Sequence, residues 1–272
     1  MLLLGARWML GDQEFLRYNR QVMLPEIGEQ GQQLLARSQV LLVGAGGLGS
    51  AAALYLAGAG VGNIVIADDD EVESSNLQRQ VIYRDAHQGQ SKAKMAAEQI
   101  QALNPHIRAR AVQARLANQR LAMEVELADA ILDCSDNLPT RHAVNRACFS
   151  AGKPLISGAA IRWQGQLMAF DFRQKQGPCY HCLFPLQSDS PQEPQNCSNS
   201  GIAGPVVGMM GTMQALETIK CITGAGHVAF AALQQFDGLT MAWQRFNLAR
   251  DKQCPVCRPG SDKRERHSND NP

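Results

Sequence analysis

Short apolar runs and helix-forming stretches alternate along the first half of the chain. Gln39–Val43 and Asn63–Ala67 are continuous apolar runs with β-branched residues, as expected for strands buried on both faces of a parallel sheet. The alanine-rich stretch between them, which ends at about Gly60, predicts a helix. Together the three elements predict a βαβ unit.

The alternation continues beyond this unit. Helical spacing resumes at about Ser91 and stops at Asn104-Pro105, and Ala130–Asp133 then predicts another buried strand, the third along the chain. Such a succession is typical of a doubly wound, Rossmann-like α/β fold with a mostly parallel sheet.

The pattern changes after Ala151. Residues 154–161 and 165–172 predict adjacent strands joined by a short turn, and the second run alternates more strongly between apolar and polar residues. We therefore expect an antiparallel extension of the sheet. Residues 205–223 predict a helix, because proline stands near the start and Gly224 just past the end.

The remaining segments define the domain organisation. Residues 1–35 predict an N-terminal helical arm, residues 36–258 a single α/β domain, and residues 259–272 a disordered, polar tail. Residues 174–200 are rich in proline, glutamine, serine and asparagine, without periodicity, and predict a surface loop.

Composition and charge exclude several classes of function. The chain of 272 residues is 45% hydrophobic and carries 26 basic against 25 acidic side chains, mixed along the sequence, which argues against nucleic acid as a main partner. It has no run of about twenty uncharged apolar residues, so we expect no membrane span. Arg7 interrupts the apolar N-terminus, so we expect no signal peptide and a cytoplasmic location.

A glycine-rich turn follows the first predicted strand. Gly44, Gly46 and Gly49 stand between a strand and a helix, where phosphates can meet free N–H groups at the helix start. Asp68 ends the next strand, where a carboxylate can accept hydrogen bonds from ribose hydroxyls. The pattern predicts a nucleotide site, and a tight turn without a ligand is the alternative.

The charges near the predicted strand ends favour ATP over NAD or FAD, with which this glycine pattern is also associated. The carboxyl ends of parallel strands converge at one crevice, and Asp136 and Asn137 follow such a strand. A triphosphate with Mg²⁺ requires cations for the phosphates and a carboxylate for the metal. The candidate residues after Asp68 are Ser75, Asn76, Arg79 and Lys92.

Four of the eight cysteines form two CxxC pairs. Cys179 with Cys182 and Cys254 with Cys257 offer the tetrahedral thiolate set of a structural Zn²⁺ site, which would join the polar loop to the C-terminal region. A redox role for either pair is the alternative. Three more cysteines lie in predicted strand or helix sequence and are interpreted as buried core residues, namely Cys134, Cys148 and Cys221.

Segments spread over residues 17–257 resemble the ThiF and MoeB adenylyltransferases, bacterial relatives of the ubiquitin-activating enzymes. The segments are RYNRQ (17–21), GAGGLG (44–49), DDDEVESSNLQRQ (68–80), LDCSDN (132–137), SGAAI (157–161), CYHC (179–182), GPVVG (204–208) and CPVC (254–257). The resemblance implies a ubiquitin-activating-enzyme-like fold that uses ATP and Mg²⁺ and holds Zn²⁺.

The resemblance also implies roles for the matching residues. Gly47 would lie in the phosphate-binding loop, Asp68 would bind the ribose, and Asp136 would bind Mg²⁺ or order its waters. Arg20 matches an arginine that reaches into the partner subunit's ATP site in the homodimers of this family, so we expect a homodimer. The residues implied around the triphosphate are Asn76, Arg79 and Lys92.

The implied reaction is attack by the C-terminal glycine carboxylate of a ubiquitin-like sulfur carrier protein on the α-phosphorus of ATP, with release of pyrophosphate. In the family, ThiF acts on the carrier ThiS in thiamine thiazole synthesis, and MoeB acts on the small subunit of molybdopterin synthase. ALYLAGAGVG (53–62) and QEPQNC (192–197) are more similar to ThiF, whereas SGAAIRWQGQ (157–166) is more similar to MoeB. We expect ThiS as the carrier, with the molybdopterin synthase subunit as the alternative.

Cys197 stands in the polar loop, shortly before the helix predicted at 205–223. A thiol near a helix N-terminus tends to have a lowered pKa, which makes it a candidate nucleophile. The resemblance places it at the position of the ThiF cysteine that forms an acyl disulfide with the carrier, which implies a sulfur-donor protein as a further partner. An unreactive loop cysteine is the alternative.

Two function classes outside this family are weighed against it. An NAD-dependent oxidoreductase would need an acid or base for hydride transfer, and none of the six histidines stands in a motif that would place one. A non-catalytic nucleotide-binding scaffold would not need the charged set Arg20, Arg79, Lys92 and Asp136, which is present in full.

Overall fold

The computed structural model describes residues 11–186 and 200–258. The predictions made for residues 1–10, for the tail 259–272 and for Cys197 lie outside the described residues.

Strands and helices alternate along the described chain. The strands are β1 Gln39–Val43, β2 Asn63–Ala67, β3 Arg108–Val112, β4 Ala130–Asp133, β5 Leu155–Ile161, β6 Gln164–Phe170, β7 Ala232–Asp237 and β8 Ala242–Asn247. The helices are α1 Asp12–Val22, α2 Gly28–Arg37, α3 Gly47–Gly58, α4 Lys92–Leu103, α5 Asn118–Leu127, α6 Leu138–Ala151, α7 Tyr180–Leu183 and α8 Gly204–Thr223.

Within the described ranges the strands form one sheet in the order β3-β2-β1-β4-β5-β6-β7-β8. The first five of these are parallel, and β6, β7 and β8 continue the sheet as antiparallel neighbours. This confirms the predicted doubly wound α/β fold with its antiparallel extension. The order of the strands reverses between β1 and β4, which opens a crevice at their carboxyl ends.

The sequence-based count of strands was wrong at one position. Ala130–Asp133 is the fourth strand along the chain, because β3 at Arg108–Val112 precedes it. β3 lies at one edge of the sheet, and its first four residues alternate between exposed and partly buried positions before the buried Val112. It therefore lacks the continuous apolar run by which the other parallel strands were found.

The two faces of the sheet are covered by different helices. On one face α2, α3, α4 and α8 enclose a core that includes Leu56, Ile100 and Met210. On the other, α5 and α6 pack against the sheet together with the segments that carry the CxxC pairs. α3 and α8 approach closely, since a Cβ on Gly211 would lie 2.2 Å from the Leu48 carbonyl oxygen.

The N-terminal helices α1 and α2 are packed onto this body. Tyr18 is buried, and its hydroxyl accepts a hydrogen bond of 2.7 Å from Asn104 Nδ2. Gln32 is also buried and donates to the Ala59 carbonyl over 3.0 Å. Leu35, where the arm was predicted to end, lies inside α2 and is fully buried.

Two expectations for the second half need correction. Residues 174–200 are not a surface loop throughout, because α7 forms within them and Tyr180 is buried. Cys134 and Cys148 are buried as predicted, but Cys221 is partly exposed at the end of α8. Across the described residues, none of the helices combines the length and apolar character needed to span a bilayer.

Candidate active site

A cleft of about 620 Å³ opens at the carboxyl ends of the parallel strands, where the strand order reverses. Residues at the ends of β1, β2 and β5, and residues that follow β3 and β4, line it. The predicted site residues that the fold brings together there are Gly44, Gly46, Gly47, Asp68, Asn76, Arg79, Lys92, Asp136 and Asn137.

The glycine turn at the end of β1 is shaped by backbone conformation and by close packing. Gly44 has a φ of 101°, and a Cβ there would lie 2.7 Å from the Cys134 carbonyl oxygen. A Cβ on Gly49 would lie 2.1 Å from the Gly44 carbonyl oxygen, so Gly49 permits the turn without lining the cleft. The first N–H groups of α3 have no partner within the helix and can bind an anion.

Asp68 is fixed at the end of β2 by backbone hydrogen bonds. Its Oδ2 accepts from Ala45 N over 2.7 Å, and its Oδ1 accepts from Asp70 N over 2.8 Å. Burial raises the pKa of Asp68, while these two N–H groups and the charge of Lys92 oppose the rise. Each carboxylate oxygen has a second lone pair, so the side chain can also accept from a ligand's hydroxyl groups.

Lys92 begins α4 and is buried in the wall of the cleft. Its Nζ pairs with Asp70 Oδ2 at 2.8 Å, and that carboxylate is 63% exposed. Tyr83, which sequence reasoning missed, donates its hydroxyl hydrogen to the Ala45 carbonyl over 2.7 Å. The same hydroxyl lies 3.2 Å from the Lys92 carbonyl oxygen and so links the glycine turn to the start of α4. Burial raises the pKa of Tyr83, which keeps this hydroxyl a donor.

Asn76 is the last residue of a short 3-10 turn at Ser74–Asn76, and Arg79 follows this turn. Arg79 NH1 donates to the Ser75 carbonyl over 2.9 Å and Arg79 lines the cleft, whereas Ser75 does not. Asn76 is buried, and its Oδ1 accepts from Glu73 N over 3.3 Å. The turn therefore presents one cationic and one amide side chain to the cleft.

Asp136 and Asn137 stand between β4 and α6. Asn137 is the N-cap of α6 and accepts from Thr140 N over 3.0 Å, so its position is set by the helix. Asp136 is exposed and lines the cleft. Its carboxylate is thus available to a metal ion, while the adjacent Asn137 side chain caps the start of the helix.

Several predicted site residues are not part of the cleft of this chain. Gly49, Ser75 and Arg20 are absent from its lining within residues 11–186 and 200–258, and Arg20 is exposed on α1. Sequence reasoning missed other lining residues, because their elements were not predicted or because no local motif marks them. These are Arg115, Arg141, Gln164 and Gln166.

The four cysteines of the CxxC pairs form one cluster, as predicted from their spacing. All four sulfur atoms lie within 4.8 Å of one another, and Cys179 and Cys254 approach to 3.7 Å. Tetrahedral zinc with Zn–S bonds of about 2.3 Å requires S···S distances of about 3.8 Å. The Cys182–Cys257 and Cys179–Cys182 distances of 3.3 and 4.0 Å lie on either side of this value, so the residues fit a zinc ion.

This geometry agrees with the comparison with known proteins. The family model described as "ThiF family" matches residues 18–256. The chain belongs to the ThiF family. The match includes every cleft residue named above and three of the four clustered cysteines, and it ends one residue before Cys257.

Two relatives in this family align with almost their whole length. The sulfur carrier protein ThiS adenylyltransferase of Escherichia coli K12 is 46% identical over 248 residues, which cover 91% of this chain and 97% of that protein. The molybdopterin-synthase adenylyltransferase of the same strain is 42% identical over 248 residues, or 91% and 98% of the two chains. These matches confirm the predicted class of enzyme, an adenylyltransferase.

A solved structure supports the fold of this ThiF-family chain. The crystal structure of E. coli MccB with MccA-N7isoASN superimposes with a TM-score of 0.77 at 22% identity, over 89% of this chain and 74% of that one. At this identity the likeness concerns the fold alone.

Proposed function

We propose that this enzyme uses ATP to adenylate the C-terminal glycine carboxylate of the ubiquitin-like sulfur carrier protein ThiS, for thiamine thiazole synthesis. The observation that carries the proposal is the meeting of the glycine turn, Lys92, Arg79 and Asp136 in one cleft of a ThiF-family chain. The 46% identity to a ThiS adenylyltransferase supports this carrier over the molybdopterin synthase small subunit, since the enzyme for that subunit is 42% identical.

ATP would bind along the carboxyl edge of the sheet. Asp68 would accept hydrogen bonds from the ribose, and the N–H groups at the start of α3 would meet the phosphates. Asn76, Arg79 and Lys92 would bind the triphosphate. The ammonium group of Lys92 already faces a carboxylate across the cleft wall, at 2.8 Å from Asp70, so a phosphate oxygen would compete with an existing ion pair.

Asp136 offers the exposed carboxylate that a hard cation prefers, next to the cationic residues of the cleft. Mg²⁺ bound there would neutralise charge on the departing pyrophosphate. The chain's own contribution is to hold the carboxylate of Asp136 on a short connection between β4 and the capped start of α6.

The chemical step needs positioning more than a nucleophilic side chain. A carboxylate oxygen of the carrier attacks the α-phosphorus, the bond from this phosphorus to the bridging oxygen breaks, and pyrophosphate leaves with the bonding electrons. Arg79 and Lys92 would stabilise the charge that develops on the phosphates. Alignment of the two reactants in one cleft supplies much of the remaining rate enhancement.

The four-cysteine cluster would hold Zn²⁺ as a structural ion. Four protein thiolates fill a tetrahedral shell and leave no position for substrate or water. The ion would join α7 to the C-terminal segment, which supplies ligands 75 residues further along the chain.

Two further parts of the proposal concern the partners of the enzyme, which would act in the cytoplasm. Exposed Arg20 on α1 would reach the ATP site of a partner subunit in a homodimer, which agrees with its position outside the cleft of its own chain. Cys197 would take part in the later transfer of sulfur to the carrier, with a sulfur-donor protein as the source.

The test is ATP–pyrophosphate exchange by purified enzyme with ThiS, with the molybdopterin synthase small subunit, and without a carrier. Exchange that depends on ThiS is the expected result. Exchange with only the molybdopterin synthase subunit would replace the carrier in this proposal, and no exchange with either carrier would contradict the proposed reaction.

A further inference from the structure

Arg141 is a buried cation in the floor of the cleft. It lies in the first half of α6, is 6% exposed, and is one of the residues that line the cleft. Neither the glycine pattern nor the charged segments of the sequence single it out. Its surroundings show what it does.

β4 and β5 separate beside this guanidinium group. Their last paired residues are Asp133 and Ser157, after which β4 leads into the loop of Asp136 while β5 continues beside β6. One side of the gap therefore carries the proposed metal-binding carboxylate. The other side, residues 159–161, forms the opposite wall of the cleft.

Arg141 bridges this gap with hydrogen bonds. Its NH2 donates to the Ser135 carbonyl on the β4 side and, over 2.8 Å, to the Gly158 carbonyl on the β5 side. Its NH1 donates to Ser157 Oγ over 3.1 Å and lies 3.4 Å from Asp133 Oδ2. The guanidinium group thus takes the place of strand pairing where the two strands diverge.

Asp133, at the end of β4, and Gln214, on the other face of the sheet, complete the bridge. Asp133 is fully buried, and its carboxylate accepts from the hydroxyls of Ser135 and Ser157 over 2.6 and 3.0 Å. Gln214, on α8, donates to the carbonyls of Asp133 and Ile156 over 2.9 and 3.0 Å. The position of the strand ends is therefore fixed by a connected network.

We propose that Arg141 is a positioning residue for the adenylation step, one that sets the distance between the Asp136 loop and the β5 wall of the cleft. The inference rests on the proposed function. Four hydrogen bonds to protein groups occupy most of the five donors of the guanidinium group, which leaves little for a contact with substrate. Its effect on the reaction is exerted through Ser135 and Gly158.

The discriminating variant is Arg141→Lys. Lysine keeps the positive charge next to Asp133, but a single ammonium group cannot replace a planar fork that spans two strands. We expect kcat for carrier-dependent exchange to fall on the order of 100-fold, because displacements of about 1 Å have effects of this size. The KM for ATP should stay within about threefold, since the hydrogen bonds of Arg141 go to residues of β4, β5 and the Ser135 loop rather than to the glycine turn or Asp68.

Two further variants keep the test sharp. Ser157→Ala removes one acceptor of Arg141, together with the hydroxyl that donates to Asp133, and keeps the guanidinium group itself. Loss of the Arg141 contact should lower kcat about fivefold, as expected for one hydrogen bond. Arg173→Lys is the control, because Arg173 also pairs with an aspartate, Asp171 at 2.7 Å, but follows β6, whose last residue pairs with the amino end of β5, away from the cleft. Its kinetics should match those of the wild type.

A binding measurement gives a readout that does not need turnover. In Arg141→Lys saturated with ATP, Mn²⁺ binding followed by electron paramagnetic resonance should weaken about tenfold, while ATP affinity measured by calorimetry stays unchanged. Ser157→Ala should show the same weakening of Mn²⁺ binding to a smaller degree. This second variant keeps the test possible if Arg141→Lys does not fold.

The opposing outcomes are distinct. Folded Arg141→Lys with wild-type kcat and Mn²⁺ affinity overturns the inference, as does a rise in the KM for ATP with unchanged kcat, which would indicate direct nucleotide contact. If Arg141→Lys does not fold, unchanged kcat and Mn²⁺ affinity in Ser157→Ala overturn it. Absence of exchange in the wild type, with either carrier, contradicts the proposed function instead, and the Mn²⁺ measurement then decides the inference.

Discussion

The cleft and the four-cysteine cluster are both assembled from segments far apart in the sequence, but by different means. In the cleft, the sheet places charged residues at its carboxyl edge, and backbone N–H groups and glycine packing hold them there. In the cluster, four free thiols from α7 and the C-terminal segment lie within 4.8 Å of one another, beside their contacts with the core. The fold creates the first site, whereas bound metal would create much of the local fold at the second.

The largest effect is expected from loss of the metal ligands. Cys254 is fully buried in the cluster, and Cys254→Ser should lower the free energy of unfolding by several kcal/mol, because structural zinc sites bind with about 10–16 kcal/mol. Because the cleft is held by the sheet and not by the metal, the folded fraction of Cys254→Ser should bind ATP with an affinity within about fivefold of the wild type. Metal content, urea unfolding and calorimetry measure the three quantities.

Cys221→Ser is the matched control for this change, because Cys221 lies on α8 outside the cluster. It should retain its zinc and unfold within about 0.5 kcal/mol of the wild type. If Cys254→Ser lowered the free energy of ATP binding as much as the free energy of unfolding, the cleft would depend on the cysteine cluster for its structure.

The opposite pattern is expected for Asp136. Its carboxylate is exposed and lines the cleft, so Asp136→Ala should leave the unfolding midpoint unchanged and reduce exchange by at least about 100-fold. Glu126→Ala, which removes an exposed acid from α5, should have no effect on either quantity. Substantial exchange by Asp136→Ala would remove this residue from the proposed site.

A smaller, pH-dependent effect is expected near the cysteine cluster. His142 packs against Tyr180 of the CxxC segment, and burial, with the nearby charges of His181 and Arg146, lowers the pKa of His142 to about 4. The native imidazole therefore stays neutral where the unfolded one, with a pKa near 6.5, takes up a proton. The contribution of neutral His142 to the free energy of unfolding is therefore fully present above about pH 6.5, and it is lost as the pH falls towards 4.

Urea unfolding at pH 7 and pH 5 measures this contribution. The wild type should lose about 2 kcal/mol more than His142→Phe over this interval, since one shifted pKa unit corresponds to about 1.4 kcal/mol. His227→Phe, which replaces an exposed histidine, should behave like the wild type. The same acid-induced loss in His142→Phe would assign the pH dependence to other groups, such as the metal ligands.

The smallest effect on adenylation is expected for Cys197→Ala. If Cys197 acts only in the later sulfur transfer, ATP–pyrophosphate exchange should stay within about twofold of the wild type while formation of the carrier thiocarboxylate is impaired. Mass spectrometry of the carrier distinguishes the acyl-adenylate from the thiocarboxylate. Loss of exchange in folded Cys197→Ala would end this division of roles.

The sequence by itself determined the parts of the fold that depend on local patterns. Gln39–Val43 and Asn63–Ala67 were predicted with the bounds that the structure shows, because strands buried on both faces require continuous apolar runs. The glycine turn could be recognised because its backbone geometry excludes side chains. The CxxC spacing likewise reflects a geometric requirement of metal binding.

Only the tertiary structure decided which distant groups meet. β3 escaped prediction because an exposed edge strand has no apolar run. The pairing of Lys92 with Asp70 depends on how the connection between β2 and α4 folds back on itself. The bridge from Arg141 to Ser135 and Gly158 depends on strand order, which no local pattern specifies. Periodicity shows whether a residue lies on the buried or the exposed face of its helix or strand. Which residue of another element it contacts is set by how the elements are arranged.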